Sequence, residues 1–143
     1  MFTEAEIEYL NSQPIARLST LNSGGQPDVV PVAFEFDGHG FWVGGHATVV
    51  ATRKIRNIVA GRRLVALVVD DLVSLQPFVA RGVRVYGQAG DPVERVGLVG
   101  PGVYVRIEPT VSWSWNLDGL PAADEWYEMT RTEHSITVRS QTN

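Results

Sequence analysis

The 143-residue chain has no cysteine. That one absence removes disulfides, thiolate metal sites, iron–sulfur ligation and a cysteine nucleophile together. Long apolar runs are missing as well, and no stretch approaches the roughly 18–20 apolar residues of a membrane-spanning helix. The N-terminal stretch Met1-Phe2-Thr3-Glu4-Ala5-Glu6 has neither the basic region nor the apolar core of a secretory signal. The expectation is a soluble, cytoplasmic protein with no membrane association. Lysine is almost absent: among 12 basic residues Lys54 is the only one, and the rest are arginine. A net charge of −4 lacks the basic excess of a general nucleic-acid binder, so nucleic acid is not an expected partner. His39, His46 and His134 stand far apart without ligand spacing, so no metal site is expected. No G-x-G-x-x-G opens a helix after a strand, and no P-loop or G-x-S-x-G elbow occurs.

What is present is an ordinary apolar fraction, 44%, in a chain of one-domain length. Thr3 and Glu6 make a capping box, with Phe2 placed to staple onto Ile7, so a short N-terminal helix should run to about Asn11 and stop before Pro14. Strand patterns follow over 15–21, 28–36 and 41–46, separated by the turn clusters Asn22-Ser23-Gly24-Gly25 and Asp37-Gly38-His39-Gly40. The spacing Ile55, Ile58, Val59 predicts a second helix over about 49–60, ended by Gly61. Residues 64–69 are continuously apolar and read as a strand buried on both faces. Residues 73–81 read as a long loop, and 83–89 and 103–108 as further strands. The sum is a mainly β fold, a six-stranded antiparallel split β-barrel with one internal helix and a short N-terminal helix. Residues 1–119 form the expected domain, and 120–143 a polar, acidic tail without a core pattern.

Charge placement is the strongest functional signal. Between Gly38 and Val69 there is no acidic residue, and Arg53, Lys54, Arg56, Arg62 and Arg63 all fall there. Arg53, Lys54, Arg56 and Asn57 lie within one and a half turns of the second helix, a pattern that suits a phosphate or other anion. The plain alternative is a solvated helix face. An ordinary solvated face carries Glu or Asp partners at three or four residues' spacing, and here none exists. Trp113 and Trp115, two apart, point to one side of a strand; they suit a core or an interface, or the wall of an aromatic site.

In order and spacing, the segments "ARLSTLNSGGQPDVVPVAFEFD", "ATRKIRNI", "LVALVVDD", "RGVRVYGQA" and "PTVSWSWNL" resemble the pyridoxamine-phosphate-oxidase-like split-barrel family. Within it they are most similar to the small actinobacterial flavin and deazaflavin oxidoreductases that use coenzyme F-420. The resemblance implies a homodimer with cofactor sites at the interface. It implies a ring lying against Val30, Pro31, Val32, Val43 and Gly44, and a phosphate grip at Thr52, Arg53, Lys54 and Asn57. Gln76 to Arg81 would border the cofactor, and Trp113 or Trp115 would come from the partner chain. The implied reaction is hydride transfer between reduced F-420 and a small organic acceptor. Arg56, Arg62 and Arg63 beyond the grip would help meet the charge of the anionic F-420 tail, which favours the deazaflavin over FMN. The alternatives are an FMN-dependent oxidoreductase and a non-catalytic cofactor- or haem-binding barrel of the same fold. No side chain stands out as proton donor. The acidic C-terminal segment departs from the basic ending of a true pyridoxamine phosphate oxidase, so that reaction is not expected.

Overall fold

Helix α1, Glu4–Ser12, opens the chain in a computed structural model that describes residues 1–135. Its capping box forms as the sequence predicts: the Thr3 hydroxyl accepts from the Glu6 N–H, and the Glu6 carboxylate accepts from the Thr3 N–H at 2.9 Å. Phe2 is buried and packs edge-on against Phe36 and Phe41, so the residue ahead of the cap anchors the helix to the barrel.

Nine strands follow: β1 Ile15–Leu21, β2 Pro27–Ala33, β3 Glu35–Phe36, β4 Phe41–Gly45, β5 Leu64–Leu75, β6 Phe78–Ala89, β7 Val93–Gly97, β8 Gly100–Trp115 and β9 Met129–Glu133. All pairings are antiparallel, in the order β2-β1-β5-β6-β8-β4-β3, with β7 and β9 also on β8. No ladder joins β2 to β3 or β4 among the described residues, so the sheet curls into an open, split barrel. Between β4 and β5 lie a short 3₁₀ turn, Ala47–Ala51, and helix α2, Arg53–Val59.

The mainly β split-barrel reading holds; the strand count rises from six to nine. The region read as a loop over 73–81 is the far end of a hairpin, because β5 and β6 pair through to Leu75 and Phe78. Its residues alternate poorly on account of a bulge between Leu72 and Ser74, which hides the strand period. Residues 93–97 and 129–133 were missed for a related reason: both are edge strands whose polar residues never needed to alternate. The reading of 64–69 as buried on both faces is corrected too. Val65, Leu67 and Val69 enter the core, while Leu64, Ala66 and Val68 line the outer face of the sheet. No helix among the described residues is long and apolar enough to cross a membrane.

The core gathers Leu18, Val32, Phe34, Phe41, Val43, Ile55, Ile58, Val69, Val83, Val85, Val105 and Ile107 inside the curl. α2 plugs one end of it. Ile55 and Ile58 are buried there, and the buried Asn57 amide donates to the Thr20 hydroxyl at 3.0 Å. At the other end, α1 clamps the root of the β5–β6 hairpin. The Tyr9 hydroxyl donates to Asp71 at 2.6 Å, Arg81 donates to the same carboxylate at 2.9 Å, and the Arg81 guanidinium lies over the Tyr9 ring. Burial and the Asp71 bond push the Tyr9 hydroxyl well up. Burial alone would raise Asp71, but the bonds from Arg81 and Tyr9 outweigh it and hold its carboxyl below the ordinary range.

Two outcomes follow for stability. Gly44 sits at φ +154°, and a Cβ there would strike the Val103 carbonyl and Tyr104 across the ladder. Gly44→Ala should therefore cost about 2–4 kcal/mol in urea melts, from backbone strain plus overpacking; a cost under about 0.5 kcal/mol would show that β4 and β8 can part freely. For Asp71 the folded pKa lies below the unfolded one, so its contribution is complete above the ordinary value near 3.8 and is lost as pH falls beneath it. Urea midpoints measured from pH 7 to pH 2.5 should show Asp71→Asn less stable at pH 7, with a shallower acid slope than the parent. Parallel slopes would remove Asp71 from the acid response.

Candidate functional site

The cations of α2 differ from six of the eight other cations in the described chain, the exceptions being Arg62, which donates to the Ser23 carbonyl, and Arg84. Arg17, Arg63, Arg81, Arg95, Arg106 and Arg131 each hold a carboxylate, at 2.6–3.2 Å. Arg53, Lys54 and Arg56 hold none among the described residues. Arg53 and Arg56 are exposed, while Lys54 is half-buried and its ammonium pKa is pushed down by that burial. Sequence explains the imbalance: with no acid between Gly38 and Val69, α2 has no local partner to draw on. The helix turns its apolar side, Ile55 and Ile58, into the barrel and must present these cations outward. Three uncompensated positive charges within one short helix make a surface suited to an anion.

The other residues singled out from sequence separate into several places. Thr52 caps α2 through its backbone, and its hydroxyl donates to the Val49 carbonyl at 2.6 Å. Asn57 faces the barrel, with its amide committed to Thr20, so it does not stand beside the free cations. Asn57 is buried beside Ile55 and Ile58, so it belongs to the side of α2 that packs into the barrel. Val32 and Val43 are core side chains, and Val30 is half-buried against the core, which leaves Pro31 as the exposed member of that set. Gly44 is held by close approach to β8. Gln76 sits exposed at the hairpin turn, and Arg81 is engaged by Asp71 and Tyr9 at the hairpin root, so it is not a free cation. Trp115 covers Gly82, where a Cβ would meet the indole at 2.6 Å.

Trp113 belongs to a group the sequence reading did not assemble. On the outer face of the sheet Arg84 lies 4.2 Å over its indole, Tyr86 meets it edge-on at 4.9 Å, and Arg131 of β9 approaches from the far side. The register places these together, since Arg84 pairs with Trp113 and Trp113 with Arg131. The Arg84 Nε is buried and has no hydrogen-bond partner among the described residues. The alternation Arg84, Tyr86 on β6 was a usable signal, but only the cross-strand register joins it to β8 and β9.

Two cavities lie elsewhere. One, about 490 Å³, opens between the 3₁₀ turn and the β7–β8 hairpin and is lined by Ala47, Arg95, Val96 and Pro101. Arg95 there is sandwiched over Trp42 at 4.1 Å and bonded to Glu35 at 3.2 Å. The other, about 320 Å³, lies beside Phe2, His39, Glu108 and His134. Burial lowers the His134 pKa, and its ring bonds Ser112 and lies 4.4 Å from the Phe2 ring, tilted by 45°. Among the described residues no group of three or more His, Asp or Glu could hold a metal ion.

The sequence profile of the family described as pyridoxamine 5'-phosphate oxidase matches residues 2–112. A 5a,11a-dehydrotetracycline/5a,11a-dehydrooxytetracycline reductase from Streptomyces rimosus is 34% identical over 130 residues, which cover 82% of this chain and 85% of that protein. Among solved structures, an F-420 reductase superposes with a TM-score of 0.60 at 24% identity, over 78% of this chain and 98% of that one. HutZ, the haem-storage protein of Vibrio cholerae, superposes with a TM-score of 0.55 at 19% identity, over 76% of this chain and 91% of that one. At those identities the structural neighbours speak for the fold. The profile spans most of the chain, and the open antiparallel barrel agrees with it. This chain belongs to the pyridoxamine 5'-phosphate oxidase family.

Proposed function

We propose that the protein is a reductase that binds the deazaflavin coenzyme F-420 and works as a homodimer. The observation that carries this reading is the set of unpaired cations Arg53, Lys54 and Arg56 on α2. Coenzyme F-420 bears a phosphodiester and an anionic glutamate tail, and FMN bears one phosphate. A row of three uncompensated cations suits the longer anion better. The named activity of the Streptomyces rimosus relative supports reduction as the reaction class.

When bound, the reduced coenzyme supplies a hydride. The chain's own residues bind and orient. Arg53, Lys54 and Arg56 would hold the anionic groups, and partial burial of Lys54 strengthens its pull by excluding water around it. The exposed Pro31 and the backbone of β2 would offer a flat apolar wall. The acceptor is a small organic molecule with a polarised double bond, and a proton from solvent completes its saturation. An unsaturated polycyclic ketone is the first acceptor to try, by analogy with the relative's substrate. The homodimer is supported by the outer face of the sheet, where the aromatic group around Trp113 stands half-exposed and Arg84 keeps an unbonded Nε. A second copy laid on this face would cover both.

The test is a fluorescence titration of ligand-free protein with coenzyme F-420 and, separately, with FMN. Micromolar or tighter F-420 binding is expected, weakened about tenfold or more in Arg53→Ala/Lys54→Ala, since each charge-assisted bond contributes about 1.5–3 kcal/mol. Affinity should also fall with added salt. Tight FMN binding without F-420 binding would replace the cofactor. Equal affinities in the parent and the double variant would remove α2 from the site.

A further inference from the structure

The hairpin of β7 and β8 overhangs a cavity that the reading above does not use. Residues 96–105 carry no charge. Val96 and Leu98 are more than half exposed, and Val99 is close to half. A surface seldom leaves so much aliphatic area on one turn unless something covers it. The cavity, about 490 Å³, lies between this hairpin and the 3₁₀ turn that leads into α2. That volume falls within the range of small-ligand sites.

Strand pairing decides which side chains face the cavity. In the β7–β8 ladder Glu94 stands opposite Val103 and Val96 opposite Pro101, and residues paired in this way project to one face. All four line the cavity, with Ala47 across from them. Four of these five are apolar, and the fifth is a carboxylate. Arg95 borders the cavity as well, but strand alternation sends its side chain to the opposite face, beside Tyr104. There its guanidinium lies 4.1 Å over the Trp42 ring and bonds Glu35 at 3.2 Å. Glu94 has no such partner and forms no ion pair among the described residues. The connector across the cavity, residues 46–52, contains no Lys or Arg to answer it. The cavity thus offers apolar walls and one uncompensated negative charge.

The walls are fixed before any ligand arrives. The Tyr104 hydroxyl donates to the Gly100 carbonyl at 2.8 Å and accepts from the Val99 N–H at 3.3 Å, which pins the hairpin turn. Gly102 lies so close to the Gly45 carbonyl that no side chain would fit there. Binding to walls already in place costs little conformational entropy.

We infer that this cavity binds a small organic cation, an apolar body carrying a protonated amine, with Glu94 as its counter-ion. The apolar body covers Val96, Pro101 and Val103. The ammonium meets the carboxylate at the exposed rim, where a charge-assisted hydrogen bond forms without deep burial of either charge. The site uses none of the α2 cations and does not rest on the coenzyme reading.

The test compares two fluorescent probes that share a flat three-ring body and carry opposite charge, 9-aminoacridine and anthracene-9-carboxylate. Each is titrated into the ligand-free full chain and followed by fluorescence anisotropy. The expected result is saturable binding of 9-aminoacridine at one site per chain, with at least tenfold weaker binding of the carboxylate. Glu94→Gln should weaken the cation at least tenfold with an unchanged circular dichroism spectrum and melting temperature. Ala47→Phe, which fills the cavity, should weaken it as well. Asp124→Asn/Glu125→Asn, which removes acids elsewhere on the surface, should bind the cation as the parent does. Arg53→Ala/Lys54→Ala should lose affinity for the coenzyme and keep the probe, so the two readings stand or fall separately. Equal affinity for the two probes, equal affinity of the parent and Glu94→Gln, or no saturable binding at millimolar probe would overturn the proposal. Binding lost with Asp124 and Glu125 in place of Glu94 would overturn it too, by moving the cation to those acids.

Discussion

The architecture depends on one backbone, that of β8. Its sixteen residues pair with four other strands: β7 and β6 along one edge, β4 and β9 along the other. A strand shared so widely must run close to its neighbours, and glycine is the residue that permits it. Gly102 lies so near the Gly45 carbonyl, and Gly44 so near Val103, that neither position has room for a Cβ. The shift in register between Tyr86 and Gly87 leaves Thr110 of β8 as an extra residue, so the strand bends there and its two halves serve different partners. Pro109 is tolerated at this point because the bulge frees it from donating to the ladder.

Once β8 is in place, most charges are settled by it. Arg106 spans to Asp37 and Glu108, and with the N–H groups of Gly40 and His39 it holds the Asp37 carboxyl well below the ordinary range, against the burial that would raise it. The Asp37 carboxylate thereby closes the β3–β4 turn. Arg95, Arg81 and Arg17 are matched in the same way, each between elements distant in sequence. α2 stands apart because it joins the barrel through apolar residues and one amide, with no carboxylate near. Its positive charge is therefore not spent on a carboxylate among the described residues.

Each carboxylate–arginine pair here is only partly buried, so none is worth much alone. Their value lies in position. The Tyr9–Asp71–Arg81 group ties α1 to the root of the hairpin arm and fixes the direction in which the arm leaves the sheet. The strap from Asn116 onward then supports the arm from the side through backbone bonds.

Local signals sufficed wherever a residue's neighbours in sequence are also its neighbours in space. The Thr3–Glu6 box, the turns at Asn22 and Asp37, the apolar face of α2 and the missing acids around it were all readable, because each acts over three or four residues. The strand count and the fate of 73–81 were not, because a bulge or an edge position breaks the period that reveals a strand, and the outward face of Leu64, Ala66 and Val68 was hidden because both faces of that run are apolar. Nor was the commitment of Asn57 to Thr20, or of Arg81 to Asp71 and Tyr9, legible in advance. A polar side chain has the same formula whether it bonds a ligand or another part of its own chain. Composition and spacing thus determined the class of fold and the placing of a basic helix without acids. Only the tertiary structure decided which polar groups are spent internally, because hydrogen bonds between residues tens of positions apart exist only after the sheet has closed.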